Sequence, residues 1–365
     1  MKSSRFFAYL QLMRPANIVT AMADILAGVA VAWFSLFSSE YGNIGEFIGV
    51  KIKTEGPASG VFQSIAEKYW KEFFVLEMNY LSILFLLLST IGLYGGGVVF
   101  NDVFDAKLDA VERPERSIPS GRASLRGATI LGSVLLIFGI GFAFLVSPLS
   151  GVVAILTAFC ALLYNKIGKH QSWGPLNMGL CRGLNLFLGT TIFYPFLLSF
   201  FQFENYLKEE NILIESSSII SGLQINTPSV DKWYICLIPI IYISAITSVS
   251  RGEVHGGSKR SFYIPFFLYG IVILSICVLA FISGTPLWQS LPFLVFFIYL
   301  IFPPLIRAYN DPQPRNIGLA VKAGVISLIV MDASIAAVFA GGIYGLIVLV
   351  LLPLSRFLAK YFAVT

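Results

Sequence analysis

Asp102, Asp105 and Asp109 stand at i, i+3 and i+7 in Asn101-Asp102-Val103-Phe104-Asp105-Ala106-Lys107-Leu108-Asp109. On a helix of 3.6 residues per turn the three carboxylates fall within roughly 80° of arc. Anions that close repel one another unless cations neutralise them. A hard, oxygen-only set suits Mg²⁺, which takes one or two carboxylates and lets substrate phosphates complete its shell. Arg113, Arg116 and Arg122 follow directly, and guanidinium groups match phosphate oxygens. Acids plus arginines read as a diphosphate and metal site, with Asp102, Asp105 and Asp109 as metal ligands. The plainer alternative is a solvated interhelical loop, and the setting weighs against it: the motif follows the apolar run 81–100, which carries Gly95-Gly96-Gly97.

Stepping outward, the 365 residues are 56% apolar and 12% charged, with a mean hydropathy of +0.80. A water-soluble chain carries about a quarter charged residues, so lipid is the expected solvent. Ten apolar windows can be drawn, at 18–37, 81–100, 127–146, 149–164, 176–201, 233–249, 262–283, 287–306, 317–340 and 343–357. Most reach the roughly 20 residues a helix needs to span the hydrocarbon, the fourth and tenth being short. The expectation is an all-α polytopic membrane bundle of nine or ten transmembrane helices around a central cavity. It forms a single domain over 1–365 with extracytoplasmic insertions at about 38–80 and 202–232. The first insertion contains a candidate interfacial amphipathic helix, Ile65 to Phe74.

Basic residues set the orientation. Lys2, Arg5 and Arg14 precede window one, and Lys107, Arg113, Arg116, Arg122 and Arg126 lie between windows two and three. Lys166 and Lys169, then Arg251, Lys259 and Arg260, then Arg307, Arg315 and Lys322, and finally Arg356 and Lys360 fall on the same side. This alternation predicts a cytoplasmic N-terminus and an even number of crossings; chain composition suggests a bacterial inner membrane. It also accounts for the net charge of +5 without a nucleic-acid partner. The first apolar run is as long as a span and lacks a convincing cleavage site, so no cleaved leader is expected. Cys160, Cys181, Cys236 and Cys277 lie in apolar segments without a CxxC spacing and read as small hydrophobes.

Further polar residues interrupt the apolar windows. Arg182 within window five either faces the protein interior or snorkels to headgroups, and Asn185 follows it. Asp24 and Asp332 are deep in their windows; an interhelical hydrogen bond or a protonated carboxyl accounts for either. Tyr164 and Lys166 close window four. After window six, Glu253 is a candidate second metal ligand, with Arg251, Lys259 and Arg260 for phosphate and Gly256-Gly257 for close backbone approach. His255 reads either as a hydrogen-bonding turn residue or as a ligand or base.

These residues resemble the UbiA superfamily of intramembrane prenyltransferases. The match is carried by Asn101-Asp102-x-x-Asp105-x-x-x-Asp109 and Arg116-x-Ile118-Pro119-Ser120-Gly121, Arg14-Pro15, Tyr164 with Lys166, and the turn after window six. The resemblance implies about nine helices around a cavity, with Mg²⁺ and the diphosphate of a polyprenyl donor held by the first motif. It further implies transfer of the polyprenyl group to an acceptor that the sequence does not identify. Asp102, Asp105, Lys166 and Glu253 are the implied catalytic residues. Asn101, Arg116, Arg122, Tyr164, Arg182, Asn185, Arg251 and Lys259 are the implied substrate contacts. The second motif departs from the family pattern, because Ser248 and His255 flank Glu253 where aspartates are expected. That turn resembles the divergent EboC-like subgroup, and the departure keeps a second reading open: a non-catalytic lipid-binding or transport component. A CDP-alcohol phosphotransferase is disfavoured, since its Asp-Gly opening and later aspartate pair are missing.

Overall fold

The computed structural model describes residues 5–37, 80–194, 234–253 and 256–362. The two expected insertions, the amphipathic stretch Ile65 to Phe74 and His255 fall outside the described residues, as do the side chains of 33–37, His170 and Phe193.

A short helix α1 (Arg5–Met13) leads into α2 (Pro15–Phe37). Pro15 at the first helical position has a pre-set φ and no N–H to leave unpaired. Helix α3 (Tyr80–Phe104) is followed by α4 (Ala106–Glu112). Helix α5 (Leu125–Val146) starts where the Ser124 side chain accepts from the Gly127 N–H, and α6 (Pro148–Lys166) where Ser147 does the same for Ser150. Both are side-chain N-caps. Then come α7 (Gly174–Thr190), α8 (Leu237–Ser250), α9 (Tyr263–Ile282), α10 (Leu287–Asn310), α11 (Pro314–Leu349) and α12 (Leu351–Leu358).

Seven segments among the described residues are long and apolar enough to cross a membrane, and Tyr234–Ser250 is a shorter apolar helix. The last long segment, Pro314–Leu358, holds two passes, because Gly341 at φ 85° and ψ 165° reverses the chain. Only glycine takes that backbone conformation without strain. After the reversal the chain runs antiparallel to α2: the Tyr344 hydroxyl donates to the Leu26 carbonyl at 3.2 Å and Ser355 to the Ala16 carbonyl at 2.9 Å. Phe7 and Phe362 then stack with centroids 5.1 Å apart. The two ends therefore meet on one face, as an even number of crossings requires. Counting the two shorter helices α7 and α8 with these gives ten helical segments among the described residues.

Helices α2 and α7 form the axis of the bundle. One apolar core lies between them and α8 to α12, and a second between them and α3, α5 and α6. Their close approach depends on Gly28 and Gly189. A Cβ on Gly28 would lie 2.2 Å from the Leu186 carbonyl oxygen, and one on Gly189 2.4 Å from that of Ile25. The four cysteines are unpaired and half-buried rather than fully enclosed.

Candidate functional site

The acidic motif sits where α3 runs into α4. Helical hydrogen bonding continues across the junction, from the Asp105 N–H to the Asn101 carbonyl at 3.0 Å and from Asp109 to Asp105 at 2.8 Å. Asp102 and Asp109, seven residues apart and so roughly 20° apart around the helix, share one cation. Arg116 Nη1 reaches Asp109 Oδ2 at 2.8 Å and Asp102 Oδ1 at 3.4 Å. Arg14 Nη2 adds a 2.9 Å contact to Asp102 Oδ1. Asp105 takes a different partner, its Oδ1 pairing with Lys169.

Local chain geometry explains these pairings. Arg14 has φ 49°, and no other non-glycine among the described residues has positive φ. Pro15 disfavours the α region for the residue before it, and the left-handed conformation costs about 1–3 kcal/mol. The ion pair to Asp102 helps to hold it. Lys169 lies in the 3₁₀ turn Gly168–His170 after α6. The same connection receives a bond from α8, since Arg251 Nη2 donates to the Gln171 carbonyl at 2.8 Å. Tyr164 lies within electrostatic reach of both Asp105 and Arg251. The α6–α7 connection thus bridges the first motif and the turn after α8. Below it, Asn165 Nδ2 donates to the Gly97 carbonyl at 2.7 Å, tying α6 to the triglycine stretch of α3.

Burial pushes the Asp109 carboxyl above its ordinary value of 3.8, an effect that the Arg116 guanidinium opposes without reversing.

Other expected residues are placed differently. Lys166 is exposed, and Lys169, three residues on, makes the contact with Asp105. Arg122 braces the loop between α4 and α5, donating to Gln11 Oε1 at 2.9 Å, Ser120 Oγ at 3.0 Å and the Glu115 carbonyl at 2.7 Å. Glu253 lies against α11, where a Cβ on Gly318 would be 3.5 Å from its Oε1. Lys259 stacks over the Tyr309 ring at 5.6 Å. Arg182 and Asn185 lie about 12–15 Å from the acidic motif, at 1.5 Å rise per residue along α2 and α3. Arg182 Nη1 donates to Asp24 Oδ2 at 2.6 Å, and Asn185 Nδ2 to the same oxygen at 2.9 Å. Sequence reasoning did not single out Lys169 from its neighbour Lys166, since the choice is made by a 3₁₀ turn.

Among the described residues, no group of three or more His, Cys, Asp or Glu side chains converges to hold a metal ion. Asp102 and Asp109 are drawn to Arg116, and Asp105 to Lys169. The donors themselves fit a hard cation. Each ion pair engages one oxygen of its carboxylate and leaves the second outside it.

Residues 75–203 match the model of the UbiA prenyltransferase family. Digeranylgeranylglyceryl phosphate synthase of Methanococcoides burtonii is 30% identical over 187 residues, covering 51% of this chain and 54% of that protein. The enzyme of that name from Saccharolobus solfataricus is 35% identical over 126 residues, 33% of this chain and 45% of its own length. The chain spans about half the length of the curated relatives it matches. Among solved structures, one concerning digeranylgeranylglyceryl phosphate synthase in membranes aligns with a TM-score of 0.55 at 17% identity, over 92% of this chain and 99% of that one. The apo structure of a UbiA homolog from Aeropyrum pernix K1 also gives 0.55, at 12% identity over 87% and 96%. At these identities the structural likeness is one of fold. With the apolar helices, it marks a multi-pass membrane protein.

Proposed function

We propose that the chain, whose residues 75–203 match the UbiA prenyltransferase family model, is a Mg²⁺-dependent membrane prenyltransferase, moving a polyprenyl group from a prenyl diphosphate to an acceptor. The observation that carries this reading is the face cluster, in which three carboxylates from α3–α4 meet three cations from the α1–α2 junction, the α4–α5 loop and the α6–α7 connection.

Asp102, Asp105 and Asp109 would hold the metal. Mg²⁺ supplies charge neutralisation of the departing diphosphate. Arg116, with Arg14 and Lys169, exchanges carboxylate for diphosphate oxygens and orients the leaving group. Tyr164 and Arg251 close the site from the α6 and α8 side. Glu253, Asn101, Lys166, Arg122 and Lys259 belong to its periphery, and Arg182 and Asn185 to the layer beneath. The face that carries the cluster is cytoplasmic, as the distribution of basic residues favours, and the membrane is an inner membrane, as chain composition suggests. One domain spans 1–365, with 38–80 and 202–232 as extracytoplasmic insertions.

The test is Mg²⁺-dependent diphosphate release from a panel of prenyl diphosphates. Asp102→Asn and Asp105→Asn are each expected to lower it by roughly two orders of magnitude or more, the scale on which preorganised charge stabilisation is lost. Glu253 favours a second reading. A single carboxylate, packed on Gly318 rather than beside the acids, suits a protein that binds the lipid diphosphate without turning it over. Wild-type protein that binds the lipid but releases nothing across the panel would establish that alternative.

A further inference from the structure

A second charged cluster lies mid-bundle, where α2, α3, α7 and α11 meet, and the proposed reaction makes no use of it. Asp24 and Asp332 have no solvent exposure, and Arg182 is 3% exposed. The Asp332 carboxyl lies close enough to Asp24 and to Arg182 to interact with both. Yet Asp24 Oδ1 and both oxygens of Asp332 have no partner when counted as ionised acceptors. Buried polar oxygens are hydrogen-bonded almost without exception, and an uncompensated buried carboxylate is costly.

Nearby donors are directed elsewhere. Arg182 Nη1 and Asn185 Nδ2 both point at Asp24 Oδ2, and Asn185 also serves the Ala21 carbonyl at 2.8 Å. Arg182 Nη2 donates to Thr20, whose hydroxyl goes to the Asn17 carbonyl at 2.7 Å. Thr90 donates to Asn185 Oδ1 at 2.7 Å, and Tyr242 to the Gly324 carbonyl at 2.8 Å. The Arg182 guanidinium also lies over the Tyr94 ring, 5.0 Å from its centroid. Two carboxylates against one guanidinium leave one negative charge over. A single hydrogen on Asp332, donated to Asp24 Oδ1, removes that charge and satisfies two of the three orphaned oxygens together.

We propose that Asp24 and Asp332 form a proton-binding site at mid-membrane, with Asp332 carrying a proton that it donates to Asp24, which Arg182 pairs from the opposite side. The bound proton makes the layer neutral and ties α11 to α2 and α7. The site is independent of the prenyl-transfer reading, and its test needs no turnover.

The measurement is infrared spectroscopy of the full chain in detergent or nanodiscs at mildly alkaline pH, in H₂O and D₂O. The wild type is expected to show the carbonyl band of an unionised carboxyl, shifted in D₂O and absent from Asp332→Asn. Asn keeps the size and a donor of protonated Asp, so Asp332→Asn should unfold within about 4 °C of wild type. Asp24→Asn, which strips Arg182 of its counter-charge, should lose clearly more. If Asp332→Asn cannot be purified, ¹³C-aspartate labelling of the wild type gives the same reading by moving the band. Absence of any aspartate-derived unionised carboxyl band overturns the proposal, as does a thermal loss in Asp332→Asn equal to that in Asp24→Asn.

Discussion

The two charged clusters are built from the same residue types and do opposite things with them. At the face, Asp102, Asp105 and Asp109 meet Arg14, Arg116 and Lys169, and the pairs retain side-chain exposures of 7–18%. In the middle, Asp24 and Asp332 meet only Arg182, with Arg182 and Asp24 at 3% and 0%. The face pairs keep some contact with solvent, so each can be exchanged for another ion at lower cost than the middle pair. The middle pair is buried, and removing one partner leaves a charge with nowhere to go. Charge at the face is there to be traded, while charge in the middle holds helices together.

The largest expected effect breaks this comparison at its buried side. Arg182→Met leaves Asp24 without its guanidinium, and breaking a buried pair costs about 3–5 kcal/mol. Thermal unfolding in detergent should show the loss, whereas Asp102→Asn should unfold close to wild type while losing diphosphate release. Comparable thermal losses in the two variants would erase the distinction between the clusters.

Much of this was legible in the sequence, because lipid makes the pattern strict. Ten apolar windows and the side on which Arg and Lys fall gave the passes, and the meeting of Phe7 with Phe362 agrees with their even number. The spacing of Asp102, Asp105 and Asp109 located the acidic motif, and its setting after an apolar run argued against a plain loop. Partner choice was not legible. Nothing local distinguishes Lys169 from Lys166, and the arc argument put Asp105 beside Asp102 when its side chain turns to the next connection. Arg182 read equally as snorkelling or interior, since its acid is 158 positions away on another helix.

A smaller effect sharpens the face side. Lys169→Met frees Asp105 from its cation, and loss of the partly buried pair, at 15% and 16% side-chain exposure, should cost less than the roughly 3–5 kcal/mol of a fully buried one. Its consequence is electrostatic. With one cation fewer, the cluster should bind Mg²⁺ alone more tightly and Mg²⁺ with inorganic diphosphate less tightly, both readable by calorimetry. Raising the salt concentration should compress both differences, because the Debye length falls to about 3 Å at 1 M. An unchanged Mg²⁺ affinity would mean that Lys169 is not neutralising Asp105 in solution.

The smallest effect asks whether burial or pairing governs an acid at the face. Asp109 is 5% exposed and bonded to Arg116, and burial wins: its folded value is raised above 3.8. A carboxyl raised on folding binds its proton more strongly in the folded state. It therefore contributes stability in full below 3.8, and that contribution is lost as pH rises through the raised folded value. Comparing apparent Tm against pH for wild type and Asp109→Asn cancels the other acids. The wild type should lose ground to the variant as pH climbs from below 3.8, then run parallel to it. If the wild type instead gains on the variant over that interval, the guanidinium of Arg116 outweighs burial at Asp109. The face would then contain a pair of the kind that the middle of the bundle uses to hold itself together.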